Sequence, residues 1–176
     1  ALSQPELEQN WVHSLAVQVR FLRQRLEYHL LGNHLFENAK ALFFAGAFFE
    51  GQEANRWLIK GKALLVRELA QQVLADGGHF ERSPMYHTLV LEGVLDLLQL
   101  QQVFPSTFSD EFHSTLVEAA EKMLWWLQAM THPDGEIALF NDAAFGIAAS
   151  PAEMQRYAAS LNLRLPIANM EPTMRC

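Results

Sequence analysis

Cysteine is nearly missing: Cys176, the last of 176 residues, is the only one. An internal disulfide and a cysteine-rich metal site are therefore excluded. The seven histidines are scattered and form neither an HxxxH pair nor a carboxylate cluster, so no metal and no other cofactor is expected. Positive charge is also scarce, with 13 Lys and Arg against 20 Asp and Glu and a net charge of −7. Phosphate binding needs clustered cations, which argues against a nucleic-acid partner. No stretch of about 18 residues is free of polar groups, so no membrane span is expected. The opening ALSQPELEQN lacks the basic and apolar regions of a signal peptide. No strand-like alternation of useful length occurs anywhere.

What remains is a chain that is 50% apolar and only 19% charged, enough for one domain with a real core. Apolar residues at Leu7, Trp11, Leu15, Val19, Leu22, Leu26 and Leu30 fall at helical spacing, which predicts an amphipathic helix over 5–30. Residues 35–50 are apolar on nearly every side and predict a buried helix. The one-sided pattern returns over 52–75 and stops at Asp76-Gly77-Gly78. Pro84 then opens a second wholly apolar helix to Val103. Ser109-Asp110-Glu111 caps a helix to Thr131, and Ser150-Pro151-Ala152-Glu153 combines a capping box with Pro at the first helical position. Residues 164–176 have no periodicity and read as an irregular tail. Half-buried helices alternating with buried ones predict an all-α array of antiparallel hairpins in two layers, inner helices buried.

Three blocks carry more specific information. They are Glu27-Tyr28-His29-Leu30-Leu31-Gly32-Asn33-His34-Leu35-Phe36-Glu37-Asn38, then Asp76-Gly77-Gly78-His79-Phe80-Glu81-Arg82-Ser83-Pro84-Met85-Tyr86-His87, then His132-Pro133-Asp134-Gly135-Glu136-Ile137-Ala138-Leu139-Phe140-Asn141-Asp142. In this order and at this separation they resemble the heparinase II/III superfamily, which includes alginate lyases. The resemblance implies an incomplete α/α toroid over 1–163, roughly the last two-thirds of one. It also implies that the β-sandwich domain that closes the family's cleft is absent, so the chain is expected to be inactive or nearly so by itself.

The implied chemistry is β-elimination on a uronic-acid-containing anionic polysaccharide. A base removes the proton beside the carboxylate, and the C4 glycosidic oxygen leaves. The site must neutralise the carboxylate and the enolate-like charge that follows. Asn33 and His34 match the family's neutralising pair, and Tyr86 matches the tyrosine that protonates the leaving oxygen and, in some members, serves as the base as well. Arg82, His79 and His87 are the expected substrate-binding residues. A polyanion approaching a chain of net −7 also needs local cations, for which Arg20, Arg23, Arg25, Lys40, Arg56 and Arg82 are available.

Each residue also has a plainer reading. Asn33 fits a helix N-cap, Tyr86 and His87 fit packing inside a helix, and His79 and Arg82 fit a solvated turn. Three other functions compete. A glycosidase needs a carboxylate pair in one cleft, which Glu37, Glu81 and Asp142 do not offer. A non-catalytic interaction module and a homo-oligomer through exposed apolar helices both use the surface that truncation uncovers.

Overall fold

A computed structural model describes residues 4–30 and 32–164. Six helices follow in order: α1 (Gln4–Gln24), α2 (His34–Phe48), α3 (Gln52–Gln72), α4 (Pro84–Val103), α5 (Asp110–Ala129) and α6 (Pro151–Ser160). A short 3-10 turn, Pro105–Thr107, joins α4 to α5. No strand occurs among the described residues. The expected tail, apart from Arg164, lies outside them.

α2 and α3 form an antiparallel hairpin whose backbones nearly touch. A Cβ on Gly61 would stand 2.6 Å from the backbone nitrogen of Phe43 and 2.8 Å from the Ala39 carbonyl. A Cβ on Gly46 would likewise run into the Leu58 backbone. α4 and α5 form the second hairpin, tied at its open end by a 2.9 Å hydrogen bond between His87 Nε2 and the Met123 carbonyl. Phe36 of α2 lies against Gly93 of α4, and Lys40 of α2 reaches Asp96 at 3.5 Å, so these two inner helices run side by side in the same direction. α6 packs on the second hairpin, where the Tyr157 hydroxyl donates to Asp96 at 3.0 Å.

The core lies between the inner and outer layers, with Phe36, Phe43, Leu65, Leu91, Leu95, Leu116 and Met123 fully buried. Phe43 meets Phe108 and Phe112 edge-on at 5.0 and 5.3 Å, which locks the two hairpins together. Truncating one such buried leucine to alanine costs about 2–5 kcal/mol.

α1 departs from the sequence pattern. It ends at Gln24 rather than Leu30, and only the Val19, Leu22 and Leu26 part of its stripe packs, against Trp57 and Leu42. Trp11 is 65% exposed and Leu15 is also exposed.

The turns after α3 and α5 have the same construction, which periodicity does not announce. Asp76 Oδ1 accepts from the Gly78 N–H at 3.0 Å, and Asp134 Oδ1 accepts from the Glu136 N–H at 3.0 Å. Gly77 and Gly135 hold φ of 86° and 90°, values an L side chain rarely adopts. Each turn closes on a single antiparallel bridge, Val73 with His79 and Thr131 with Ile137. Serine then caps the next helix in both cases, Ser83 before Pro84 and Ser150 before Pro151.

Candidate active site

The chain enters α2 through Gly32, whose φ of 87° is one an L side chain rarely adopts, with the Glu81 carboxylate standing against it. Asn33 occupies the N-cap position, and its carbonyl accepts from the Glu37 N–H at 2.9 Å. Its side chain makes no capping hydrogen bond. The half-buried amide of Asn33 is thus not spent on the helix, and the plain capping role is set aside. His34 follows with its side chain 52% exposed and Nδ1 at 3.7 Å from Glu27 Oε2. Asn38 fixes that carboxylate, donating to Glu27 Oε2 and accepting from the Glu27 N–H, both at 3.0 Å.

Tyr86 sits in the first turn of α4. Ser83 Oγ accepts from its backbone N–H at 3.5 Å, Pro84 sets the first helical residue, and the ring is half-buried against the core. The Gly32–Glu81 contact brings the turn before α2 against the turn before α4, so both helices begin at the same end. Their N-terminal dipoles add positive potential there. Asn141, from the third block, donates to the carbonyls of Glu81 and Arg82 at 3.1 and 3.4 Å. All three blocks therefore meet at one end of the array.

A buried polar chain holds these turns in place. Gln72 Nε2 donates to the Gly32 carbonyl at 3.0 Å and to Glu68 Oε2 at 2.8 Å. Gln72 Oε1 pairs with His79 Nε2 at 3.0 Å, and the His79 N–H donates to His87 Nδ1 at 3.2 Å. Because His87 Nδ1 accepts, its proton is on Nε2, which donates to the Met123 carbonyl. Burial lowers the His79 pKa to about 4 and the His87 pKa to about 3, so both rings are neutral at physiological pH. Glu68, at 6% exposure, is balanced by Arg67, which donates to it at 2.8 and 3.0 Å.

This corrects two expectations. His79 and His87 are 0% exposed, and their hydrogen bonds run to protein groups. Neither ring meets solvent, so neither touches a substrate here; they brace the turns that carry Asn33 and Tyr86. Nor is His79 a solvated turn residue. Arg82 is exposed, has no ion-pair partner among the described residues, and holds φ at 55°, a strained value for a non-glycine residue. It edges a groove of about 370 Å³ shared with Trp126, Phe140 and Asn141. The expected cations also divide: Arg20 is bound to Glu53 at 2.7 Å, and Lys40 to Glu37 at 2.9 Å. Arg23, Arg25 and Arg56 have no ion-pair partner among the described residues. Gln72 and Glu68 are absent from the sequence-based candidates, because a polar residue near a helix end carries no signal of burial.

A groove of about 840 Å³ lies elsewhere, between α1 and the C-terminal ends of α2 and α4, lined by Leu15, Phe21, Phe44, Phe48 and Leu100. Its walls are apolar and lack acid–base groups. Among the described residues no cluster of His, Cys, Asp and Glu is arranged to hold a metal ion, and no helix is long and apolar enough to cross a membrane.

Residues 3–162 match the family described as Heparinase II/III N-terminus. The chain belongs to the heparinase II/III family. A heparin-sulfate lyase of Bacteroides stercoris is 34% identical over 117 residues, covering 66% of this chain and 17% of that protein. Heparin-sulfate lyases of Pedobacter heparinus and Bacteroides thetaiotaomicron are 32% and 28% identical over 119 and 149 residues. The crystal structure of heparinase III superposes with a TM-score of 0.61 at 27% identity, over 74% of this chain and 20% of that one. The hairpin array is therefore part of an α/α toroid, as the heparinase II/III resemblance implied. The chain spans a fifth or less of the length of these relatives.

Proposed function

We propose that this chain supplies one catalytic wall of a polysaccharide lyase that cleaves uronic-acid-containing polysaccharide by β-elimination. Asn33 and His34 donate hydrogen bonds to the uronate carboxylate and lower the cost of the enolate-like charge that builds as a base, the second role of the Tyr86 position in some family members, takes the neighbouring proton. Tyr86 delivers a proton to the departing C4 oxygen. A phenol O–H is a hydrogen-bond donor and can pass its proton to the oxygen as the glycosidic bond breaks. Arg82, beside the turn that leads to Tyr86, binds a further anionic group. Heparan-type chains are the substrate class suggested by the names of the relatives.

One observation carries this reading: an Asn33 amide not used for capping stands on a turn that touches the turn before Tyr86. The test is a reaction at stoichiometric protein with heparan sulfate, following the ultraviolet absorbance of the unsaturated uronate and the mass of the products. Slow formation of unsaturated ends, abolished by Asn33→Ala and by Tyr86→Phe, is the expected result. Saturated products, or unsaturated product that survives both substitutions, would overturn it.

Self-association has separate support in the exposed Trp11, Leu15 and Phe21 on α1 and in the apolar groove beside them. Sedimentation across a concentration series measures it directly, and a monomer at all concentrations would exclude it.

A further inference from the structure

A second groove, about 540 Å³, lies where α1 and the segment after it face α3, and it is lined by Arg23, Gln24, Leu26, Tyr28, Arg56 and Lys60. Its charge is not balanced locally. Arg20 is paired with Glu53 and Arg67 with Glu68, whereas Arg23, Arg56 and Lys60 are exposed and have no ion-pair partner among the described residues. The Glu53 carboxyl is held below its ordinary range first by hydrogen bonds from Arg20, with Arg23 and Arg56 adding to the pull. Both arginines therefore sit close to that pair and leave a net positive field around it. In a chain of net −7 such a concentration stands out.

The Tyr28 ring lies among these cations, 52% exposed, with Lys60 Nζ at 5.5 Å and Arg67 Cζ at 5.7 Å from its centroid. Tyr28 also sets the groove near the candidate site. It follows Glu27, whose carboxylate lies 3.7 Å from His34 Nδ1. The cationic groove therefore begins one residue along the chain from the carboxylate that stands beside His34.

We propose that this groove is an extension subsite, holding an anionic sugar of the same polysaccharide beyond the unit at Asn33 and His34. Arg23 and Arg56 offer planar forks for sulfate or carboxylate, and Lys60 adds a point charge held beside the Tyr28 ring. The assignment rests on the lyase reading for the identity of the ligand, but it makes its own demand on binding.

The test is calorimetric titration of the 176-residue chain with size-defined heparan sulfate oligosaccharides over a range of salt concentrations. The double variant Arg56→Gln with Lys60→Gln should bind about tenfold more weakly at low salt and show a shallower salt dependence. Lys122→Gln, which removes an exposed cation elsewhere, is the control. Thermal unfolding of all variants should match the parent, because these side chains are exposed. An unsulfated uronate oligosaccharide forms a second arm: loss on both ligands assigns the cations to carboxylates, and loss on the sulfated one alone assigns them to sulfates. A change under twofold, an equal loss in Lys122→Gln, no binding by the parent chain, or equally tight binding of a DNA duplex of matched charge overturns the proposal. If the double variant loses binding while Asn33→Ala and Tyr86→Phe leave elimination intact, the subsite stands and the catalytic reading fails. If elimination depends on Asn33 while binding is indifferent to Arg56 and Lys60, the catalytic reading stands and the subsite fails.

Discussion

The Gln72 side-chain amide donates a 3.0 Å hydrogen bond to the Gly32 carbonyl, in the peptide unit that leads into Asn33. The same side chain satisfies Glu68 and His79, all inside the protein. A methionine at this position keeps the volume but strands the Gly32 carbonyl, a carboxylate oxygen and an imidazole N–H. Each stranded buried group costs about 1–3 kcal/mol. Gln72→Met should therefore lower the urea midpoint and shift the Asn33 amide resonances, whereas unchanged Asn33 resonances would show that Gln72 does not position the turn.

The two glycines where α2 meets α3, Gly46 and Gly61, reverse the usual rule. In an exposed helix, Gly→Ala stabilises by about 1 kcal/mol. At Gly61 the added Cβ meets the Phe43 nitrogen and the Ala39 carbonyl, backbone atoms that cannot step aside without separating α2 from α3. Gly61→Ala should destabilise by about 1–3 kcal/mol, as overpacking does, and thermal unfolding reads the sign. A rise in Tm would mean that α2 and α3 are not held this closely.

The helices are legible in the sequence because their signals are local. The apolar runs of α2 and α4 specify buried inner helices, Pro84 opens α4, and Ser109 and Ser150 each cap as their spacing predicts. The stripe of α1 misleads for a related reason: periodicity reports which face is apolar but not whether a neighbour covers it. His79 reads as a surface group because a polar residue beside glycines looks solvated in sequence, whereas the packing role that the helix suggests for His87 holds; only the fold reveals that Gln72 and Met123 supply their partners. The repeated turn at Asp76 and Asp134 is hidden because its identity lies in backbone hydrogen bonds, while the two sequences share little beyond Asp-Gly.

Acid should weaken this fold before its carboxylates titrate. His79 and His87 are neutral in the folded state, with pKa values near 4 and 3, whereas in the unfolded chain each takes up a proton near 6.5. Between those limits the unfolded state binds more protons, so stability is full above about pH 6.5 and falls as the pH drops. Each histidine contributes a slope of up to about 1.4 kcal/mol per pH unit within its window. Urea unfolding between pH 7 and 5 measures it; a flat profile would mean that these rings are protonated or solvated in the folded protein.

The chain by itself should turn over heparan sulfate only weakly. His34 has half its side chain in solvent and the Asn33 amide is half-exposed. Hydrogen bonds offered to a uronate carboxylate from an open wall compete with water, and their value for developing charge falls with the higher local dielectric. Enzymes gain much of their rate from holding the reacting ring in one orientation, and a single wall constrains it poorly. The expected outcome is unsaturated product detectable at stoichiometric protein, without sustained turnover when substrate is in large excess. Asn33→Ala should reduce that residual rate by about 10²-fold, the scale of losing one donor to a developing oxyanion. Rapid multiple turnover by monomeric chain would show that Asn33, His34 and Tyr86 form a sufficient site, and that no opposing surface is needed to exclude water from it.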